Sequence, residues 1–236
     1  MPSTSKSQKL NIFKKGPVHR SLFSNGASAL THYAEGFNGA KVLLNFIAGS
    51  AFEKIDQEGM AHLIEHLIFK ENESNLILQL EYLGAELNAY TYKESVCFEM
   101  SCLGTRLDQV VPLFLECFMQ LDFLDTQLLK EKQIIRQELK EDKDDHEGQG
   151  IEFIFKKNFN QAYGHPVGGS ASQVLKYKRK DIEKYYKKYF ASERTSLVVV
   201  SGNKDFDGAR ALQAWYRKFG VKGKNKKPYR INKNKK

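Results

Sequence analysis

AHLIEHLIFKENESNLILQLEYLGAELNAYTYKESVCFEMSCL, residues 61–103, changes its hydrophobic period midway. In Ala61–Phe69 the apolar residues Leu63, Ile64, Leu67, Ile68 and Phe69 enclose a polar seam of His62, Glu65 and His66, the pattern of a helix over Met60–Lys70. Ser74–Leu83 predicts a second helix, ended by Gly84. From Ala85 the period is two. Leu87, Ala89 and Thr91 alternate with Glu86, Asn88, Tyr90 and Tyr92, and beyond Lys93-Glu94 the set Val96, Phe98, Met100 and Cys102 alternates with its own neighbours. That is a pair of strands joined by a short turn.

Toward the N-terminus, the Asn25-Gly26 turn between Leu22-Phe23 and Ala27–Tyr33 predicts a hairpin, and the long apolar run Lys41–Ala48 predicts a strand ended by Gly49-Ser50. Toward the C-terminus, a helix follows Gly104-Thr105, with Pro112 calling for a kink or a late start. Asp125 reads as the N-cap of a long helix reaching Lys143. Further helices are expected over Gly150–Asn160, Lys180–Phe190 and Gly208–Phe219, with a loop at Tyr163–Ser170 and a buried strand at Ser196–Ser201. The order is strands, helices, hairpin, helices, strand, helix. It predicts an α+β fold, a mixed or antiparallel sheet with helices packed on one face.

The chain has 236 residues, enough to bury a real core, and no apolar run approaches the roughly 18–20 residues of a membrane span. The N-terminus lacks the apolar core of a signal peptide. Cys97, Cys102 and Cys117 are odd in number and lack CxxC spacing, so they read as reduced, and the chain as intracellular and cytoplasmic. The net charge of +9 belongs to the ends: residues 1–20 carry five Lys or Arg and residues 222–236 carry eight, neither with an acid. What remains is 24 basic residues against 28 acidic, a body of −4, which makes nucleic-acid binding an unfavoured function. Residues 1–17 read as a flexible basic arm, 18–221 as one domain, and 222–236 as a disordered basic tail.

His62 and His66 are four residues apart, so a helix stacks their imidazoles on one face, with Glu65 reaching the same place from the side. Two neutral imidazoles and a carboxylate on one helix face form the core of a catalytic zinc site, which needs a third protein ligand. The helix from Asp125 offers it. Its inward stripe runs Leu128, Glu131, Ile134/Ile135, Glu138, and acids on an apolar stripe demand a cation or strong donors. A metal would satisfy Glu138, and Glu131 would hydrogen-bond a ligand histidine from behind.

HLIEH, then LNAYTYKESVCFEMSCL, then EKQIIRQELKEDKDD resembles the N-terminal half of the pitrilysin/insulinase family of zinc peptidases, whose motif is the inverted H-x-x-E-H. The resemblance runs from near Ser21 to near Phe219. It implies His62, His66 and Glu138 as ligands of one Zn2+ per chain, Glu65 as general base, and Glu131 as the supporting acid seven residues before the third ligand. It also implies Leu87, Asn88, Ala89, Tyr90 and Thr91 as the edge strand on which an extended peptide lies. Gly164–Gly169 resembles the loop that follows the third-ligand helices in that family. Two departures stand out. The 72 residues from His66 to Glu138 are a few short, a loss assigned to Glu71-Asn72-Glu73, and the chain stops after one of the two usual halves. The expected activity is zinc-dependent endopeptidase, within a homodimer or beside a second subunit of the same fold. The alternative is a zinc-binding but non-catalytic subunit. Asn88 reads equally as a donor to substrate backbone and as an ordinary edge amide, and His165, before Pro166 in a glycine loop, reads as a turn residue.

Overall fold

The computed structural model describes residues 4–10, 18–70, 75–119 and 121–219. Strands β1 (Thr4–Leu10), β2 (Val18–Phe23), β3 (Ser28–Tyr33) and β4 (Gly39–Phe46) lead into helices α1 (Met60–Ile68) and α2 (Leu76–Tyr82). The hairpin β5 (Glu86–Thr91) and β6 (Val96–Leu103) follows, then α3 (Leu107–Glu116), α4 (Asp125–Glu141) and α5 (His146–Asn158). Two single turns, α6 (Gln161–Gly164) and α7 (Ala171–Val174), precede α8 (Arg179–Tyr189), β7 (Thr195–Ser201) and α9 (Gly208–Phe219).

The seven strands form one sheet in the order β1-β2-β3-β7-β4-β6-β5. β7 lies parallel to β3 and antiparallel to β4, and every other pairing is antiparallel, so the sheet is mixed. The fold is α+β, as the order of elements predicted. Period-two patterning sets its layers. Ala40, Val42, Leu44 and Phe46 of β4 alternate with half-buried residues, and Leu197 and Val199 of β7 lie opposite Leu44 and Val42 on the same covered face. Helices pack on that face, α1 against β5 and β6, α3 against β6, and α9 against β3 and β7. Phe46, Phe98, Phe118 and Phe190 fill the space between the layers, with ring centroids 4.7–6.1 Å apart along the cluster. Each fully buried ring of this kind contributes about 2–3 kcal/mol relative to an exposed one. The opposite face carries polar residues, including Lys41, paired with Glu99 and with Ser101 Oγ at 3.0 Å.

Several local expectations change. The arm expected over residues 1–17 is in part a strand: Thr4–Leu10 pairs antiparallel with β2 as the sheet's edge. Its sequence, TSKSQKL, is polar enough to read as solvated chain, and polarity of that kind is also how edge strands avoid pairing with other molecules. Asp125 is the first helical residue of α4 rather than its cap, and its carboxylate accepts from Arg179 Nη2 at 2.9 Å. α5 starts four residues earlier than expected because Asp145 caps it, accepting from the Gly148 amide at 3.1 Å. Pro112 stays inside α3, whose α-helical turns begin only after a 3₁₀ turn at Gly104–Arg106. The segment assigned as the shortened loop, 71–73, and the expected tail, 222–236, lie outside the described residues.

Candidate metal centre

α1 is held by its apolar positions. Met60, Ala61, Leu63, Ile64, Leu67 and Ile68 are all buried, which fixes the helix's rotation and turns the seam of His62, Glu65 and His66 toward α4 and β5. α4 is anchored in the same way by Leu128 and Ile135. Glu131 is wholly buried on that stripe, and Glu138, two turns later, is partly exposed.

The side chains meet between the two helices. His62 Nε2 and His66 Nε2 lie 3.2 Å apart. Glu138 Oε2 lies 3.4 Å from His66 Nε2 and 3.9 Å from His62 Nε2, and the three donor atoms all fall within 4.8 Å of one another. Zinc binds nitrogen and carboxylate oxygen at about 2.0–2.2 Å, so the edges of a tetrahedron around it are about 3.3–3.5 Å. The donor set and its spacing fit that ion. Burial, and secondarily the charge of His66, lowers the His62 pKa to about 4, so its imidazole is neutral at ordinary pH, the form a metal requires. Its Nδ1 is buried with no hydrogen-bond partner among the described residues, which likewise disfavours an imidazolium.

Glu131 sits behind the histidines. One oxygen lies 3.1 Å from His66 Nδ1 and the other 3.0 Å from Lys70 Nζ. A fully buried carboxylate is tolerable with two such partners, and the His66 contact leaves Nε2 of that ring presented to the centre. Glu65 accepts a hydrogen bond from Thr91 Oγ1 at 2.7 Å on Oε2. Burial raises the Glu65 pKa, the Thr91 bond and the charge of His66 act against that, and Glu138 adds to it. This carboxylate therefore has a stronger hold on a proton than a solvated one.

β5, which carries Leu87, Asn88, Ala89, Tyr90 and Thr91, is an edge of the sheet and, among the described residues, pairs only with β6. Leu87, Ala89 and Thr91 lie opposite Met100, Phe98 and Val96 on the helix-covered face, which explains how Thr91 reaches Glu65. Asn88 and Tyr90 are exposed on the other face. The structure thus brings His62, Glu65, His66, Glu131, Glu138 and Thr91 together, while Asn88 and Tyr90 turn away from the three convergent side chains.

Two residues of this region were not legible as a unit. His165 is buried, and its Nε2 lies 3.0 Å from Glu53 Oε2. Glu53 is 112 residues away, so no local pattern joins them. The only signal was an acid shortly before the glycine that opens α1. The three cysteines are free and buried, and burial pushes their thiols up to about 11, 11 and 12, which keeps them protonated at neutral pH.

Comparison with known proteins adds an independent line. The profile of the insulinase family, peptidase family M16, matches residues 30–170. An uncharacterized zinc protease of Bacillus subtilis is 23% identical over 181 residues, covering 75% of this chain and 44% of that protein. A probable mitochondrial-processing peptidase subunit beta of Arabidopsis thaliana is 26% identical over 166 residues, covering 66% of this chain and 30% of that protein. Among solved structures, an M16-like peptidase from Alicyclobacillus acidocaldarius superposes with a TM-score of 0.74 at 18% identity, over 93% of this chain and 53% of that one. The chain spans less than half the length of these sequence relatives.

Proposed function

The chain belongs to the insulinase family of peptidases, and from that premise we propose that it is a zinc-dependent endopeptidase acting on extended peptides or unfolded segments. The observation that carries this reading is the convergence of His62, His66 and Glu138 within 4.8 Å beside a half-buried Glu65 on the same helix as the two histidines. A single ion, one per chain, would be held by those three residues. The chemistry it supplies when bound is Lewis acidity toward water and toward a carbonyl oxygen. Glu65 takes the proton of the attacking water and returns it to the leaving amine, a task suited to a carboxylate whose proton affinity burial has raised. Thr91 holds one Glu65 oxygen in place, and Glu131 holds His66. The open edge of β5 offers main-chain donors and acceptors to an extended substrate, which favours peptides over folded proteins.

Three measurements test the reading. Glu65→Gln should retain about one zinc per chain while peptide turnover falls by about 10²–10⁴. Glu138→Gln should lose zinc as well as turnover. Cleavage that survives a chelator, or full activity in Glu65→Gln, overturns it. The half-length match and the likeness to a named peptidase subunit favour a second unit of the same fold, either a copy of this chain or a partner. They also give weight to a second reading, a zinc-binding subunit without turnover of its own, which predicts one zinc per chain and no cleavage in any pairing.

A further inference from the structure

We propose, resting on the zinc-peptidase reading, that Glu53 and His165 are positioning residues: a buried carboxylate–imidazole clamp that fixes the start of α1 and thereby the placement of His62 and His66 against Glu138. The first turn of a helix presents backbone N–H groups with no partner inside the helix. The residue at the α1 cap is Gly59, which has no side chain to satisfy them. Glu53 does so from outside, with Oε2 accepting from the Gly59 amide and Oε1 from the Ala61 amide, both at 2.8 Å. Its side chain is wholly buried, and a carboxylate so placed is costly unless several strong donors hold it. His165 Nε2, at 3.0 Å from Oε2, is the third.

His165 is in turn tied to the rest of the site. Its carbonyl oxygen accepts from Lys93 Nζ at 2.7 Å, which joins it to the turn between β5 and β6. The loop that follows it runs against both ligand-bearing helices. A Cβ on Gly168 would stand 2.8 Å from Leu139 Cδ2 and 3.6 Å from His62 Nδ1, and one on Gly169 would stand 2.5 Å from the Glu58 carbonyl. The loop therefore wedges between the entry to α1 and the residue beside Glu138. Displacing Glu53 from the α1 amides shifts one pair of ligands relative to the third.

The test uses the full chain and the variants Glu53→Gln, His165→Phe and the double variant. Glutamine keeps the shape but turns an NH2 group toward one of the helix amides. Zinc affinity is measured by competition with a chromophoric chelator, and amide exchange over residues 54–69 is measured in the metal-free protein. Each single variant should bind zinc about tenfold more weakly. The first-turn amides of α1 should exchange about tenfold faster, kcat should fall with KM within about twofold, and the double variant should bind no worse than Glu53→Gln alone. Variants that melt earlier but keep wild-type zinc affinity and wild-type exchange overturn the proposal, since that is what a merely structural pair would show. If Glu53→Gln does not fold, His165→Phe decides alone: unchanged affinity and exchange overturn the proposal, and a tenfold loss supports it. A wild-type chain that binds no zinc removes the peptidase reading instead, and amide exchange in the metal-free protein still decides the clamp.

Discussion

Thr91 and His62 show how single side chains set the chemistry. Thr91 Oγ1 donates to Glu65 Oε2 at 2.7 Å and opposes the rise that burial imposes on that carboxyl. Thr91→Val keeps the shape and removes the donor, so Glu65 holds its proton to higher pH. The acid limb of the kcat/KM profile should move to higher pH, at unchanged zinc content. An unmoved limb would separate Glu65 from the base role. His62 makes a prediction for the metal-free protein. Its folded pKa, about 4, lies below the unfolded value of 6.5, so between these values the unfolded chain binds the proton and the folded chain does not. The contribution is full above pH 6.5 and is lost as pH falls toward 4. Urea titrations at pH 7 and pH 4.5 should show the metal-free wild type losing about 1–3 kcal/mol more than His62→Gln between the two conditions. Equal losses would mean that His62 is not held neutral by its burial.

At the scale of elements, two glycines at helix boundaries separate backbone strain from close approach. Gly59, opening α1, has φ +83°, and a Cβ there would meet the Gly168 carbonyl oxygen at 2.5 Å. Gly84, after α2, has φ +79° with nothing within 4 Å of that position. Gly84→Ala should cost about 1 kcal/mol, the strain alone. Gly59→Ala adds a clash between backbones that cannot yield easily, and should lower the melting temperature of the metal-free protein at least twice as far. Similar shifts would show that the 165–169 loop gives way and does not brace α1. The same elements show what a sequence can express. α1 and the β5–β6 hairpin were legible because each buries one face and so prints its own period, 3.6 or 2, on its residues. Glu131 and Glu138 drew notice only through the H-x-x-E-H context, since on its own the polar helix they sit in reads as a solvated charged face. The place of β7 was not legible, since SLVVVS declares a buried strand but not that it enters between β3 and β4. β1 was not, because the polar stretch TSKSQKL carries no apolar period. The Glu53–His165 contact was not, because two polar residues far apart in sequence leave no pattern until the fold brings them together.

The whole molecule raises the question of enclosure. Helices α1, α3 and α9 pack against the sheet, β5 ends it with an edge that no described strand pairs, and Glu138 remains partly exposed. A substrate strand laid along β5 would gain hydrogen bonds on one side only and would stay open to water on the other. Catalysis of this type benefits when water is excluded and the substrate is clamped from both sides. The sequence relatives that match this chain are more than twice as long as the matched region. If a second unit of the same fold closes the site, turnover belongs to the assembly and not to the single chain. With this chain alone in solution, specific activity at a fixed peptide concentration should then rise with enzyme concentration and level off as the homodimer saturates. Its midpoint should match the dissociation constant from sedimentation equilibrium, while zinc content per chain stays constant across the series. Specific activity independent of concentration in a sample that sediments as monomer would show that one chain suffices. No turnover at any concentration, recovered on adding a chain of the same fold that lacks the H-x-x-E-H motif, would assign the closing half to a different subunit.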